Sequence, residues 1–214
     1  MDSPLDAVGV RVLGSLIEKG ITTPDYYPLT VNALTAACNQ TSNRDPVLAL
    51  DDAAVSQGIE DLRRRSLVSE VHRSDSRAKR YRHLLSESLK LHPGEIAVLG
   101  VLLLRGAQTA GEIRTRTARL FEFPDVALVE ITLHSLMTLS EPLVAQLPRR
   151  AGQKEVRYAH LLSGEPRAEA PQPAAAEDPV ETSRLEALEH EVASLRAELS
   201  EVRAQFEEFR REFR

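Results

Sequence analysis

Tryptophan is absent from the 214 residues, and aromatic residues make up only 4% of them. Cores must then be built from Leu, Val, Ile and Ala, which suits helices, because Leu and Ala lose little rotamer freedom there. Cysteine occurs once, at Cys38, which excludes an internal disulfide framework and a four-thiolate zinc site. Its place in the apolar stretch Leu34 to Cys38 reads as a buried helical cysteine. Long apolar runs are also missing. The longest, Ile96 to Leu104, has nine residues counting Gly100, against about 20 for a membrane span. The start, Met1-Asp2-Ser3-Pro4-Leu5-Asp6, has no basic segment and no long apolar segment, so no signal peptide is expected. The expectation is a soluble, cytoplasmic protein without a membrane partner.

Catalytic patterns are lacking too. There is no P-loop, no Gly-rich dinucleotide turn, no His-Glu-x-x-His and no nucleophile elbow. The six histidines, His72, His83, His92, His134, His160 and His190, include no pair at metal-ligand spacing along one helix. Asp51 and Asp52 read as a helix start, not as paired acids. No enzyme, no cofactor and no metal site is expected.

What is present is a long repeat. Val12-Leu13-Gly14-Ser15-Leu16-Ile17-Glu18-Lys19-Gly20 returns 86 positions later as Val98-Leu99-Gly100-Val101-Leu102-Leu103-Leu104-Arg105-Gly106. Arg80-Tyr81-Arg82-His83-Leu84-Leu85 returns 77 positions later as Arg157-Tyr158-Ala159-His160-Leu161-Leu162. A repeat of this length indicates a duplicated domain, since solenoid repeats run to about 20–50 residues. His83 and His160 fall at equivalent places and are assigned a structural role at the strand's end.

Charge divides the chain as well. The net charge of −5 conceals a tail, residues 165–214, with 13 acidic and 7 basic groups. The first 164 residues are close to neutral, so the acidity belongs to the tail.

Helical periodicity predicts a first helix over about 5–19, with Gly20 as its C′ stop. Thr30 is a predicted N-cap for a helix from Val31 to Asn39. A third helix runs from Asp51 or Asp52 to Arg65, its acidic start and Arg63-Arg64-Arg65 end both suiting the helix dipole. Two strands follow, Leu67–His72 and Lys79–Leu84, as a hairpin. The second unit repeats this order. Pro93 opens a helix to Arg105 that stops at Gly106. Thr109 and Glu112 form a capping box for a helix to about Thr117. A helix from about Asp125 to Leu139 precedes strands at Leu143–Leu147 and Glu155–Leu161. Three helices and a two-stranded ribbon, twice, is the order of tandem winged helix-turn-helix domains. The fold class expected is mainly α with small β-hairpin wings (α+β). Its boundaries are 1–90 and 91–164, followed by a Pro/Ala-rich linker over 165–180.

From 181 to 214 the chain carries a heptad seam: Leu185, Leu188, Val192, Leu195, Leu199, Val202, Phe206, Phe209 and Phe213. Three of the four g-to-next-e pairs are opposite in charge, as a parallel pair of helices would use them. The seam predicts a parallel coiled-coil homodimer. A single amphipathic helix folded back on the domains is the competing reading.

The segment Gly20 to Val47, with Thr23-Pro24-Asp25-Tyr26-Tyr27-Pro28-Leu29-Thr30 and Asn39-Gln40-Thr41-Ser42-Asn43-Arg44-Asp45-Pro46, resembles the signature of the bacterial YceH family. Leu102-Leu103-Leu104-Arg105-Gly106-Ala107-Gln108-Thr109-Ala110-Gly111-Glu112 and Tyr158-Ala159-His160-Leu161-Leu162 carry the same resemblance. It covers about residues 5–164 and implies tandem winged helices. It implies no activity, because this family is a group of uncharacterised proteins.

Binding candidates are basic. Between Arg63 and His83 stand eight Arg or Lys and two acids. Arg73, Arg77, Lys79 and Arg80 cluster at the expected wing tip, with Arg64 at the end of the third helix, and such groups reach phosphates. A solvated turn with scattered cations is the other reading. Asn43 and Arg44 have donor chemistry for phosphate or base edges; a turn closed by Asn43, Asp45 and Pro46 is the alternative. Against DNA stand Asp51, Asp52, Glu60 and Asp61 on the third helix, and the lack of any Lys or Arg between Leu120 and Pro148. Two functions follow as expectations. One is a regulator-like protein binding double-stranded DNA through the first domain. The other is an adaptor whose winged helices bind an unidentified protein.

Overall fold

The computed structural model describes residues 4–73, 76–149 and 155–165, without the side chains of Arg73, Ser76 and Arg77. The described residues all belong to one compact unit, Met1–Pro166. The linker and the heptad seam lie outside the described residues. Among those residues the fold is mixed α and β, with seven helices and two small antiparallel sheets. None of its helices is long and apolar enough to cross a membrane.

α1 spans Ala7–Thr22. Asp6 caps it, its Oδ1 accepting from the Gly9 N–H at 2.7 Å. The helix does not stop at Gly20, as its sequence suggests. It continues for two residues, because Thr22 Oγ1 and Thr23 Oγ1 donate to the carbonyls of Glu18 and Lys19. Gly20 serves packing instead. A Cβ there would lie 3.2 Å from the Tyr27 ring, whose hydroxyl oxygen accepts from the His83 backbone N–H at 2.8 Å.

α2 spans Val31–Cys38 and is capped by Thr30, while α3 spans Asp52–Arg64 and is capped by Asp51. Leu34, Ala37 and Cys38 of α2 meet Val55, Ile59 and Leu62 of α3 in the interior. The hairpin strands β1 (Val68–Arg73) and β2 (Ser76–His83) run further than expected toward a shorter connection. They pair antiparallel from Val68↔His83 to Arg73↔Ser76, with a register shift between Val71 and Arg73. A short α4, Leu85–Ser88, leads into the second half.

There, α5 spans Pro93–Arg105, and Gly106 follows it at φ +70°. That backbone angle is accessible to glycine at little cost and favours it as the stop. α6 spans Ala110–Thr117 with the Thr109–Glu112 capping box in place. α7 spans Val126–Met137. β3 (Gln108–Thr109), β4 (Val144–Gln146) and β5 (Arg157–His160) form a sheet in the order β3-β5-β4.

The third strand has a counterpart in the first half. Leu29 and Tyr81 exchange both backbone hydrogen bonds, at 3.1 and 2.8 Å, and Gln108 pairs with the repeat-equivalent Tyr158. In each half the residue after this contact, Thr30 or Thr109, caps the next helix. The ribbon is thereby tied to the start of the second helix by the same device twice.

The halves meet along α1 and α5. Gly14 faces Leu103 and Leu104, and Gly100 faces Ile17. The partner number falls as the α1 number rises, so the helices run antiparallel there. One buried cluster runs from Leu5 through Leu13, Leu16, Leu99 and Leu102 to Leu162. The first strand of contact with the far end is direct: the Leu5 N–H donates to the Leu162 carbonyl at 2.7 Å.

Candidate nucleic-acid interface

The polar run Asn39 to Pro46 is held by reciprocal bonds at one end. Asn39 Nδ2 donates to the Leu50 carbonyl at 2.7 Å, and the Leu50 N–H returns to Asn39 Oδ1 at 2.8 Å. At the other end the Asp45 N–H donates to the Leu104 carbonyl of α5 at 2.9 Å. The run therefore spans from one half to the other.

Arg44 does not face solvent. Its side chain is 0% exposed. Nη2 meets Glu18 Oε2 at 2.6 Å and the Ala37 carbonyl at 2.8 Å, Nε meets the same carbonyl at 3.1 Å, and Nη1 meets Glu18 Oε1 at 3.3 Å. Its donors are consumed inside the fold, so the expectation of a phosphate contact from Arg44 gives way to a structural role. A second buried guanidinium stands beside it: Arg11 Nη1 donates to the Cys38 carbonyl at 3.0 Å. Both cations satisfy carbonyls at the C-terminus of α2, where the helix dipole favours positive charge. Burial alone would raise the Glu18 carboxyl, but the Arg44 hydrogen bonds and charge outweigh it, and the net shift is downward. Burial, and then the charge of Arg44, lower the Arg11 guanidinium.

Asn43 is exposed, at φ 60°, and its Oδ1 accepts from Arg105 Nη2. It faces α5 and not the hairpin, so the structure separates Asn43 from the other predicted contacts.

Around the hairpin, Lys79 is 63% exposed and 3.5 Å from Glu70. Arg80 is half-buried, its Nη1 donating to the Pro28 carbonyl at 3.0 Å. Arg64 is 68% exposed and ion-paired with Asp61 on its own helix. Arg73 and Arg77 belong to the strands by their backbones, but their side chains lie outside the described residues. Glu70 collects Arg63 at 3.3 Å, His72 at 3.3 Å and Lys79 at 3.5 Å. One carboxylate thus sits between two cations, Arg63 and Lys79, with the His72 ring beside it, at the foot of the hairpin. The exposed residues of α3 are Asp52, Ala53, Gln57, Glu60 and Arg64, two acids and one cation that is itself paired with Asp61.

His83 and His160 are both largely buried, and burial lowers both, His160 to about 4. Each is neutral at physiological pH and neither adds positive charge. Burial raises Cys38, which is therefore a thiol rather than a reactive thiolate. Among the described residues no group of three His, Cys, Asp or Glu is placed to hold a metal.

Residues 5–153 match the model of DUF480, described as a protein of unknown function. The chain belongs to the DUF480 family. Its relatives carry the name UPF0502 protein. UPF0502 protein GSU0233 of Geobacter sulfurreducens is 50% identical over 202 residues, covering 91% of each chain. A UPF0502 protein of Geotalea daltonii is 51% identical over 185 residues, 86% of this chain and 83% of its own. One from Opitutus terrae is 47% identical over 193 residues, 90% of this chain and 83% of its own. Coverage of 90% or more reaches past residue 164, so the likeness includes part of the C-terminal segment. These names assign the family and no activity.

Proposed function

We propose that this DUF480 member is a non-enzymatic, tandem winged-helix protein that binds duplex DNA through phosphate contacts from the β1–β2 hairpin. Its C-terminal seam would pair two copies as a parallel coiled coil. The observation that carries the reading is the distribution of charge in the first half. The helix that would enter a major groove, α3, presents Asp52 and Glu60 and a single exposed cation, Arg64, which is paired with Asp61, whereas Lys79 projects from the ribbon with one shared carboxylate nearby. Contacts from a wing position a protein on the phosphate backbone and carry little sequence information. Binding of modest sequence preference and strong salt dependence is the consequence. The test is titration of a labelled duplex library at several salt concentrations. Binding at low salt that weakens steeply with added salt supports the proposal, and no binding at low salt ends it.

A second reading is favoured by α7. This helix occupies in the second half the place of α3 in the first, and Val126, Leu128 and Ile131 on it are exposed, Ile131 to 65%. Glu130, His134 and Ser135 are exposed on the same helix, and a partly apolar face with an acid and no Lys or Arg suits protein far better than a polyanion. An adaptor binding protein through α7 is the function that remains if DNA binding fails.

A further inference from the structure

The groove between the two halves is a second place where the fold gathers positive charge, and its cations lie on different elements from those of the hairpin. Its half-open volume is about 970 Å³, the upper range for small-molecule sites. The end of α1, the loop at 40–43, the end of α5 and the end of α6 build its walls.

Four cations line it: Lys19, Arg105, Arg116 and Arg119. Lys19 has Glu18 at 3.4 Å and Gln40 Oε1 at 3.3 Å. Arg116 has Glu112 at 3.4 Å. Arg105 meets only the neutral amide oxygen of Asn43 among the described residues. Arg119 is exposed and has no ion-pair partner among them. The carboxylate on the wall, Glu18, is already engaged by buried Arg44 at 2.6 Å. Three helices end here, and their C-termini draw cations. At roughly half a charge each they offset less than two of the four, and Glu112 beside Arg116 offsets one more. Positive charge therefore remains in excess. Burial, followed by the charges of Arg116 and Arg44, depresses the Arg105 guanidinium, while Asp45 and Glu18 act in the other direction. Below the cations the floor is aliphatic, with Ile21, Leu104 and Leu120.

We infer that this groove binds a phosphorylated small molecule of nucleoside-diphosphate size. Its phosphates would lie between Arg105, Arg116 and Arg119, whose planar forks match phosphate oxygens in pairs. Its organic part would lie on the aliphatic floor, bordered by the Thr22 hydroxyl and the Gln40 amide. A finite, half-enclosed volume suits such a ligand better than a duplex backbone, which needs an extended stripe of cations. The site is independent of the hairpin and stands whether or not the protein binds DNA.

The experiment is calorimetric titration of the full chain with ADP, GDP, pyrophosphate and adenosine, and with a short duplex in a separate arm. Binding of at least one nucleoside diphosphate is expected, at least tenfold tighter than adenosine and tighter than pyrophosphate. Arg119 has no hydrogen-bond or ion-pair partner among the described residues, so Arg119→Ala should leave the ligand-free melting temperature nearly unchanged. It should weaken the diphosphate about tenfold, equivalent to about 1.4 kcal/mol. Lys79→Ser should leave diphosphate binding unchanged. Absence of binding by both diphosphates at millimolar concentration overturns the inference. So does equal binding by Arg119→Ala and wild type, or duplex binding that is lost in Arg119→Ala while no diphosphate binds.

Discussion

Gly14 of α1 and Gly100 of α5 are equivalent residues of the repeat, and each leaves room for a side chain of the other helix. A Cβ on Gly14 would stand 3.1 Å from Leu103 Cβ and 2.9 Å from Leu104, and one on Gly100 would stand 2.8 Å from Ile17 Cγ2. Ile17 and Leu103 are themselves repeat equivalents, so the contact is a local two-fold made within one chain. Here glycine is selected by close approach and not by backbone angle. Gly14→Val and Gly100→Val should each destabilise by about 1–3 kcal/mol, as overpacking does. Chemical denaturation measures this. A change below about 0.5 kcal/mol for both would contradict the contact.

Because that contact joins the halves, they should not be equally stable apart. A single buried cluster includes Leu13, Leu16 and Ile17 from one half and Leu99, Leu102 and Leu103 from the other. Separation exposes both sets. Residues 1–165 are expected to unfold in one transition by calorimetry, and pieces 1–90 and 91–165 to melt well below it. Two pieces with the melting temperature of the whole would show instead that the halves are energetically independent.

Arg44 and Glu18 supply a third expectation. Removing one partner of a buried pair typically costs about 3–5 kcal/mol, because the other charge is left uncompensated. Arg44→Met should fall in that range. The double variant Glu18→Gln with Arg44→Met should lose less than the sum of the two single changes, as expected for groups in direct contact. The sign with pH follows from the lowered Glu18 carboxyl. Its contribution is complete above the unfolded carboxyl value of about 4.3 and is lost as pH falls through the lower folded value. Additive losses in the double variant would show that the pair is not coupled.

The helices were legible because their starts carry chemistry. Thr30, Asp51, Thr109 and Asp125 each cap the helix that follows, and a short polar side chain before an apolar period is a local signal. The end of α1 was not legible, since a glycine that stops a helix and a glycine under a tyrosine ring look alike in one sequence. β3 and the Leu29–Tyr81 bridge escaped because contacts of one or two residues have no periodicity. The fate of Arg44 depended on Glu18, 26 positions away, and on the carbonyls at the end of α2. The groove was hidden for the same reason: its four cations come from three helix ends and one turn.

His160 sets the acid limit of the second half. Its ring is largely buried, its Nδ1 has no hydrogen-bond partner among the described residues, and burial lowers it to about 4. The unfolded chain takes up this proton near pH 6.5 and the folded chain only near 4. Stability is therefore complete above about 6.5 and falls as pH drops toward 4, by roughly 3 kcal/mol at about 1.4 kcal/mol for each unit. His160→Phe should flatten the stability profile between pH 4 and 6.5. A profile unchanged from wild type would place the ring in contact with water.

The hairpin decides the proposed function most directly. Four cations, Arg73, Arg77, Lys79 and Arg80, lie in one ribbon, and Lys79 is exposed. Each phosphate neutralised on duplex DNA contributes about −0.9 to the slope of log affinity against log salt. Replacing all four by Ser should weaken every duplex in a library to a similar degree and make the slope shallower by up to about 3.6. Arg80 has an internal partner in the Pro28 carbonyl, so the change should fall short of that limit. Arg149, Arg150 and Lys154, the cations between Leu147 and Glu155 in the sequence, serve as the control, and their replacement should alter the slope far less. The opposite order would move the phosphate contacts to the second half. An unaltered slope in both variants would remove DNA from the function and leave the partly apolar face of α7, with Ile131 at its centre, as the surface that meets a partner.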